Sequence, residues 1–234
     1  MATNFHRFGP AHLIILGAVP AVAVALALVQ RRLIPGCRLL RIGFGIFLLA
    51  DAAAWYSYLA VIGQPIFPGQ LPLELCDFSF YLIAIVLLTL NRPTFDIAYY
   101  WSLAGSTMAL LTPNIWEHFP SLSTVQFFVM HGLVVSAVLY LVWSGQIEPR
   151  RGSVFRAMVA ANLLAAFDGA FNAIYQTNYM YLRAKPGNSS LLNFMGPWPW
   201  YILAAEPVAI ALFLLLYWPF WRKEKAQCGR GRRG

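Results

Sequence analysis

Residues 11–32 read AHLIILGAVPAVAVALALVQRR, and this stretch decides the class of fold. From Ala11 to Val29 there is no Asp, Glu, Lys or Arg, and then Gln30, Arg31 and Arg32 arrive together. A helix rises ~1.5 Å per residue, so a run of roughly 20 apolar residues matches the ~30 Å hydrocarbon core of a bilayer. A helix at the surface of a soluble protein would instead carry one polar face. The rest of the 234-residue chain repeats the pattern: 59% of residues are hydrophobic and 11% charged. Mean hydropathy is +0.61. Soluble domains carry roughly 25% charged residues, so the composition excludes soluble enzyme folds, zinc fingers and coiled coils together.

Working outward, the apolar runs predict an all-α bundle of seven transmembrane helices, at about 11–29, 39–61, 72–90, 96–113, 124–143, 155–177 and 197–221. Turn-forming residues punctuate them: Arg31 to Gly36, Gly63 to Gly69, Asn91-Arg92-Pro93 and Pro113-Asn114. The longest connection, 178–196, is polar and reads as a functional loop or re-entrant segment. One transmembrane domain, 1–221, precedes a basic tail, 222–234.

The formal net charge of +8 does not indicate nucleic acid, because the basic residues sit in loops between spans rather than along one stripe. Arg31, Arg32, Arg38, Arg41, Arg92, Arg150, Arg151, Arg156, Arg222, Lys223, Lys225, Arg230, Arg232 and Arg233 fall on one side, and Arg7, Arg183 and Lys185 on the other. Positive-inside bias then places the N-terminus outside and the C-terminus in the cytoplasm of a multi-pass cell-membrane protein. Ala23-Val24-Ala25 has the composition of a signal-peptidase site. The run is long, however, and the strongest charges follow it, so the first span is expected to be retained. Trp198, Trp200, Tyr201, Trp218 and Trp221 read as interfacial belts. The three cysteines make no disulfide framework: Cys37 and Cys228 fall on the cytoplasmic side, and Cys76 near the outer end of the third span.

Polar residues inside spans are the functional signal, since an ionisable group at a helix centre costs at least ~2.5–3.5 kcal/mol on insertion. Asp51, Asp168 and Glu206 fall near mid-span and His131 somewhat shallower, which predicts an internal cavity opening outward. Each also has a bland reading as an interhelical hydrogen-bonding group. Asp168, Asn172 and Gln176 share one face of the sixth span, with Asn178 and Tyr179 just beyond it. Glu74 and Asp77 are neighbours on the third span at i, i+3, and Cys76 points to a different face from either. A retinal Schiff base is excluded, because Lys185, Lys223 and Lys225 all lie in loops or tail. No metal is expected: His12, His131 and Asp168 are the nearest thing to a ligand set, and no HExxH-type spacing supports it. Phosphate-cradling Gly-rich loops are missing too, so no cofactor is expected.

Specific strings go further than composition. LPLELCD at 71–77, LTPN at 111–114, FFVMHG at 127–132, TNYM at 177–180, Lys185-Pro186 and MGPWPWY at 195–201 occur in that order. The chain thereby resembles the YwaF family of bacterial integral membrane proteins over nearly its whole length. Glu74 departs from the pattern, standing where bacterial members often have a His. That family is distantly similar to the eukaryotic transmembrane protein 164 family and, more faintly, to the androgen-induced membrane hydrolases, which use a Thr nucleophile. The resemblance implies an acyltransferase acting on glycerophospholipid acyl chains, with the nucleophilic Cys at Cys76 and its His at His131.

The local chemistry is compatible with those roles. Cys76 falls in the first turn of a helix expected to begin near Pro72, where unpaired amides and the helix dipole favour a thiolate, although Glu74 and Asp77 oppose it unless they are neutral or bridge a cation. Asn114 and Asn178 are candidates to orient the His or donate to an oxyanion. The partners implied are membrane lipids, and the oligomeric state is left open. The competing class is a transporter or ligand-binding protein with an outward-open cavity carrying Asp51, Asp168 and Glu206. Its expected inverted repeat finds no convincing match between spans 1–3 and 5–7. A non-catalytic accessory subunit has no positive sequence feature.

Overall fold

A computed structural model describes residues 5–115, 117–187 and 190–231, with side chains as far as residue 225. Cys228 and the arginines from Arg230 onward lie outside the described side chains. Every regular element among the described residues is helical: α1 (Pro10–Leu28), α2 (Arg38–Val61), α3 (Leu75–Thr89), α4 (Arg92–Tyr100), α5 (Thr107–Leu111), α6 (Leu122–Trp143), α7 (Ser153–Tyr175) and α8 (Trp200–Gly231). A π-helical turn, Val29–Leu33, extends α1, and a second, Trp101–Ser106, joins α4 to α5 without leaving helical dihedrals. Five helices are long and apolar enough to cross a membrane: Pro10–Leu33, Arg38–Val61, Leu122–Trp143, Ser153–Tyr175 and Trp200–Lys225. α3 is apolar but shorter, with 15 residues.

Capping chemistry sets the boundaries. The Asn91 side chain accepts from Thr94 N at 3.0 Å to start α4. Ser121 and Thr124 form a reciprocal capping box at the start of α6. Gly152, at φ 77, turns the chain into α7. Both α3 and α7 end in left-handed residues, Leu90 (φ 55) and Gln176 (φ 58). α8 departs most from expectation, beginning at Trp200 and continuing well past residue 221 into the basic segment.

α3, α4 and α6 form the interior. Ile83, Ala84, Val86 and Leu87 of α3, Phe95, Ala98 and Tyr100 of α4, and Val134, Ala137, Val138 and Tyr140 of α6 are buried in one cluster. α1 closes on α6 across Gly132, where a Cβ would come within 3.2 Å of Val19 Cγ2. Ser136 Oγ also donates to the Val19 carbonyl at 2.9 Å. α8 instead leaves Leu203, Ile210, Leu214, Leu215 and Trp218 exposed, an apolar outer face suited to lipid.

One end of the bundle is tied by charge. Asp96, fully buried, accepts from Arg150 Nη2 at 2.7 Å, Arg150 Nε at 2.9 Å and Arg156 Nη2 at 2.8 Å. Its other oxygen accepts from Arg150 N at 3.0 Å. Beside it the Tyr100 and Ser153 hydroxyls hydrogen-bond at 2.6 Å, and Trp101 Nε1 donates to Ala157 O at 3.1 Å. These contacts fix α4 against α7 in one register.

Candidate active site

The site is built on the start of α3. Glu74 is the N-cap, its carboxylate accepting from the Asp77 amide, while Asp77 Oδ2 accepts from Glu74 N at 3.1 Å. The helix therefore begins at Leu75, three residues later than Pro72 suggests, and Cys76 is its second residue. Glu74 and Asp77 are thus a reciprocal carboxylate cap rather than a bare acidic pair, and Glu74 Oε2 also accepts from Met180 N at 3.0 Å. Among the described residues no three His, Cys, Asp or Glu side chains converge to hold a metal ion.

Cys76 opens into a cavity of about 560 Å³. Its wall takes residues from α2 (Asp51, Trp55, Tyr56), α3 (Cys76, Asp77, Phe80), the 101–111 segment (Gly105, Met108) and α6 (Gln126, Phe127, Met130, His131). Helix rise accounts for the convergence. Cys76 lies about 13 residues from Thr89, Gly105 about 13 from Arg92, and His131 about 12 from Trp143. At ~1.5 Å each, all three sit ~18–20 Å from the charged end.

His131 is held in one tautomer. Its Nδ1 donates to the Phe127 carbonyl, one turn back on α6, at 2.7 Å. The Phe127 ring lies 4.3 Å from the imidazole, centroid to centroid. A neutral imidazole with a proton on Nδ1 carries its lone pair on Nε2, and Nε2 has no hydrogen-bond partner among the described residues.

The π-helical turn supplies the surroundings of the thiol. Gly105 has no side chain to fill the space beside it: a Cβ there would stand 3.8 Å from Cys76 Sγ. The next residue, Ser106, is buried, and its hydroxyl makes no hydrogen bond among the described residues. An extra residue in one helical turn often marks a functional site. Neither residue was expected from sequence, because a π turn leaves no period or composition by which to find it.

The other expected residues divide. Asp51 lines the cavity and accepts from Gln126 Nε2 at 2.8 Å, joining α2 to α6. Asn114 and Tyr179 also line it. Asn114 Nδ2 donates to the Tyr181 hydroxyl at 3.2 Å, so it organises the loop above the cavity. Four residues lie elsewhere. Asp168 is fully buried behind the wall, with no hydrogen bond to either oxygen among the described residues. Glu206 pairs with Asn162 Nδ2 at 3.2 Å between α8 and α7. Asn178 spends its amide inside its own loop, on Ala184 O, Ala184 N and Arg183 N. His12 is a packing residue: Phe8 N donates to its Nδ1 at 2.8 Å, and its Nε2 donates to Leu110 O at 2.7 Å.

Asn172 is buried and acts as a loop anchor. Its Oδ1 accepts from Tyr179 N and Thr177 Oγ1, both at 2.8 Å, and its Nδ2 donates to Tyr179 O at 2.9 Å. The stripe on α7 stops there, because Gln176 turns left-handed and faces outward. The Tyr179 hydroxyl donates to Pro68 O at 2.7 Å and accepts from Leu71 N at 2.9 Å. Loop 177–181 is thereby fastened to the segment that leads into α3, and Tyr181, Pro186 and Leu192 also line the cavity wall. Burial pushes the Tyr179 and Tyr181 phenols above the usual range, so both remain neutral donors.

The model of the TMEM164 family matches residues 7–217. The chain belongs to the TMEM164 family. The match spans all of the cavity wall, α3 and α6 included. No curated protein and no solved structure is significantly similar to the chain.

Proposed function

We propose that this TMEM164-family protein is a membrane acyltransferase that moves acyl chains between glycerophospholipids through a thioester on Cys76, with His131 as base. The observation that carries this reading is the placement of the thiol and the Nε2 side of a tautomer-locked imidazole on the wall of one cavity. Cys76 Sγ attacks the ester carbonyl of a donor phospholipid while His131 Nε2 takes the thiol proton. Collapse of the tetrahedral species breaks the ester bond, and the imidazolium returns the proton to the leaving lysophospholipid oxygen. The hydroxyl of an acceptor lysophospholipid then attacks the thioester, His131 takes its proton, and the thiol leaves reprotonated. Proton removal by His131 accompanies attack, so the step needs no free thiolate at rest. The Phe127 carbonyl does for His131 what an aspartate does in a hydrolase triad: it holds the ring and its tautomer.

The topology belonging to this reading has seven spans. The continuous helix 92–111 and α3 join the five longer helices, the N-terminus is outside, and residues 222–234 form a cytoplasmic tail. The site then opens toward the outer leaflet, near the level of phospholipid ester carbonyls. The transport alternative is weakened because Asp168 and Glu206 do not line the cavity. The test is to incubate purified full-length protein with a labelled phospholipid and locate acyl adducts by mass spectrometry. An adduct on Cys76, lost in Cys76→Ala together with acyl exchange, is the expected result. Exchange that persists in Cys76→Ala would overturn the assignment.

A further inference from the structure

Above the cavity lies a second chamber, a polar vestibule of about 430 Å³. It shares Gly69, Glu74, Asn114, Tyr179, Tyr181 and Pro186 with the cavity wall. What it adds is Thr177, Asn178, Lys185 and Gly187. The inner chamber is faced mainly by apolar side chains, such as Trp55, Phe80, Met108, Phe127 and Met130. The two adjoin at these shared residues, and Glu74, two residues from Cys76, belongs to both walls.

Lys185 is the cation among the described residues lining either chamber. It makes no ion pair among the described residues. Its ammonium sits 5.3 Å from the centre of the Tyr201 ring, and that ring is itself buried, with its hydroxyl donating to the Tyr181 carbonyl. The backbone leading to Lys185 is held by the Asn178 amide on Arg183 and Ala184. Arg183, by contrast, is engaged by Gln176 Oε1 at 2.7 Å and points away from this role. Glu74 would repel an anion, but its carboxylate is turned to the amides of Asp77 and Met180.

The geometry points to the vestibule as the subsite for the phosphate of a glycerophospholipid, with Lys185 as its counter-charge. This rests on the acyl-transfer reading and deepens it. In a glycerophospholipid the ester to be cleaved and the phosphate are attached to the same three-carbon glycerol unit. A ligand with its ester at Cys76 therefore places its phosphate a few bonds away, across Glu74 and into the vestibule. A cation there distinguishes a phospholipid from a diacylglycerol with the same chains, since a charge-assisted hydrogen bond strengthens binding where a neutral hydroxyl gains less.

The experiment uses full-length protein in detergent with two photoactivatable probes of identical diazirine-bearing chains, a phosphatidic acid and a diacylglycerol. Labelling of peptides carrying Met108 or Met130 is read by mass spectrometry. Expected is about tenfold tighter labelling by the phosphatidic acid, worth ~1.4 kcal/mol. Lys185→Ala should reduce it to the diacylglycerol level and Lys185→Arg should retain it. Equal labelling by the two probes in the wild type overturns the subsite, whatever the variants do, and leaves the acyl-transfer reading standing. Displacement of both probes alike by inorganic phosphate marks a free-anion site and also overturns it. Failure of both probes to reach the cavity peptides sinks both readings together.

Discussion

His131 Nδ1 donates to the Phe127 carbonyl one turn earlier on the same helix, at 2.7 Å. Because donor and acceptor share α6, the imidazole orientation does not depend on how the neighbouring helices settle. Nε2 is presented as an acceptor from the moment α6 forms.

His131→Ala should therefore lower acyl exchange about 10²–10⁴-fold, the range for removing a positioned base. Cys76→Ser should fall comparably, and the double variant little further, because the two act as a unit. Turnover of labelled phospholipid checks this. Strictly additive losses would show two independent roles.

Ser106→Ala should slow alkylation of Cys76 by a small maleimide several-fold without altering the fold, since the hydroxyl is a buried polar group with no hydrogen bond of its own among the described residues, next in the chain to the Gly105 that lies against the thiol. Ser106→Cys should restore part of the rate. Unchanged alkylation across pH 7–9 would leave Ser106 with packing only.

Asn172→Ala removes three hydrogen bonds that hold Tyr179 and Thr177. A loss of about 2–4 kcal/mol is expected, because the partners include buried backbone groups left unpaired. Thermal unfolding in detergent measures it. Asn172→Asp keeps the acceptor and should lose less.

Asp96→Asn should destabilise the bundle by roughly 2–3 kcal/mol, at the low end for breaking a buried ionic cluster because both arginines are partly exposed. The loss should appear in unfolding of the whole chain rather than in turnover per folded molecule.

Alkaline stability follows from Tyr179 and Tyr181, whose phenols are held above the ordinary value by burial. The folded state binds their protons more tightly than the unfolded chain does. Their contribution is whole below pH ~10, the unfolded phenol value, and is lost as pH rises beyond it. Tyr179→Phe and Tyr181→Phe should flatten that decline above pH ~10.

Much of this was legible in the sequence, for reasons particular residues make clear. Apolar run length gave α1, α2, α6, α7 and α8, because a bilayer imposes length and composition on any span. The expected third span, 72–90, contains Cys76 and Asp77 of α3, but the reciprocal cap of Glu74 with Asp77 sets the start at Leu75, past Pro72. Equal depth suggested that Asp51, Asp168, Glu206 and His131 share a cavity. Depth, however, fixes height and not rotation about each helix axis, so Asp51 and His131 line the wall whereas Asp168 and Glu206 do not. His12 and Asn178 were candidates by residue type, and both are used up by backbone partners that no spacing rule reveals. Asp96, the anchor of the charged end, stands at the start of an expected span, where an acidic residue carries no signal of a buried ionic cluster.

The Trp101–Ser106 turn has one further consequence. Before it and at its first residue, Asp96, Tyr100 and Trp101 are locked to α7; near its end, Gly105 lies against the thiol. Were the same residues wound as a regular α-helix, the extra residue would swing everything beyond by roughly 100°. The lower half would keep its grip, while the Cys76 thiol would lose the gap beside it. The turn works as a phase adjuster between two faces that an unbroken α-helix would leave out of step.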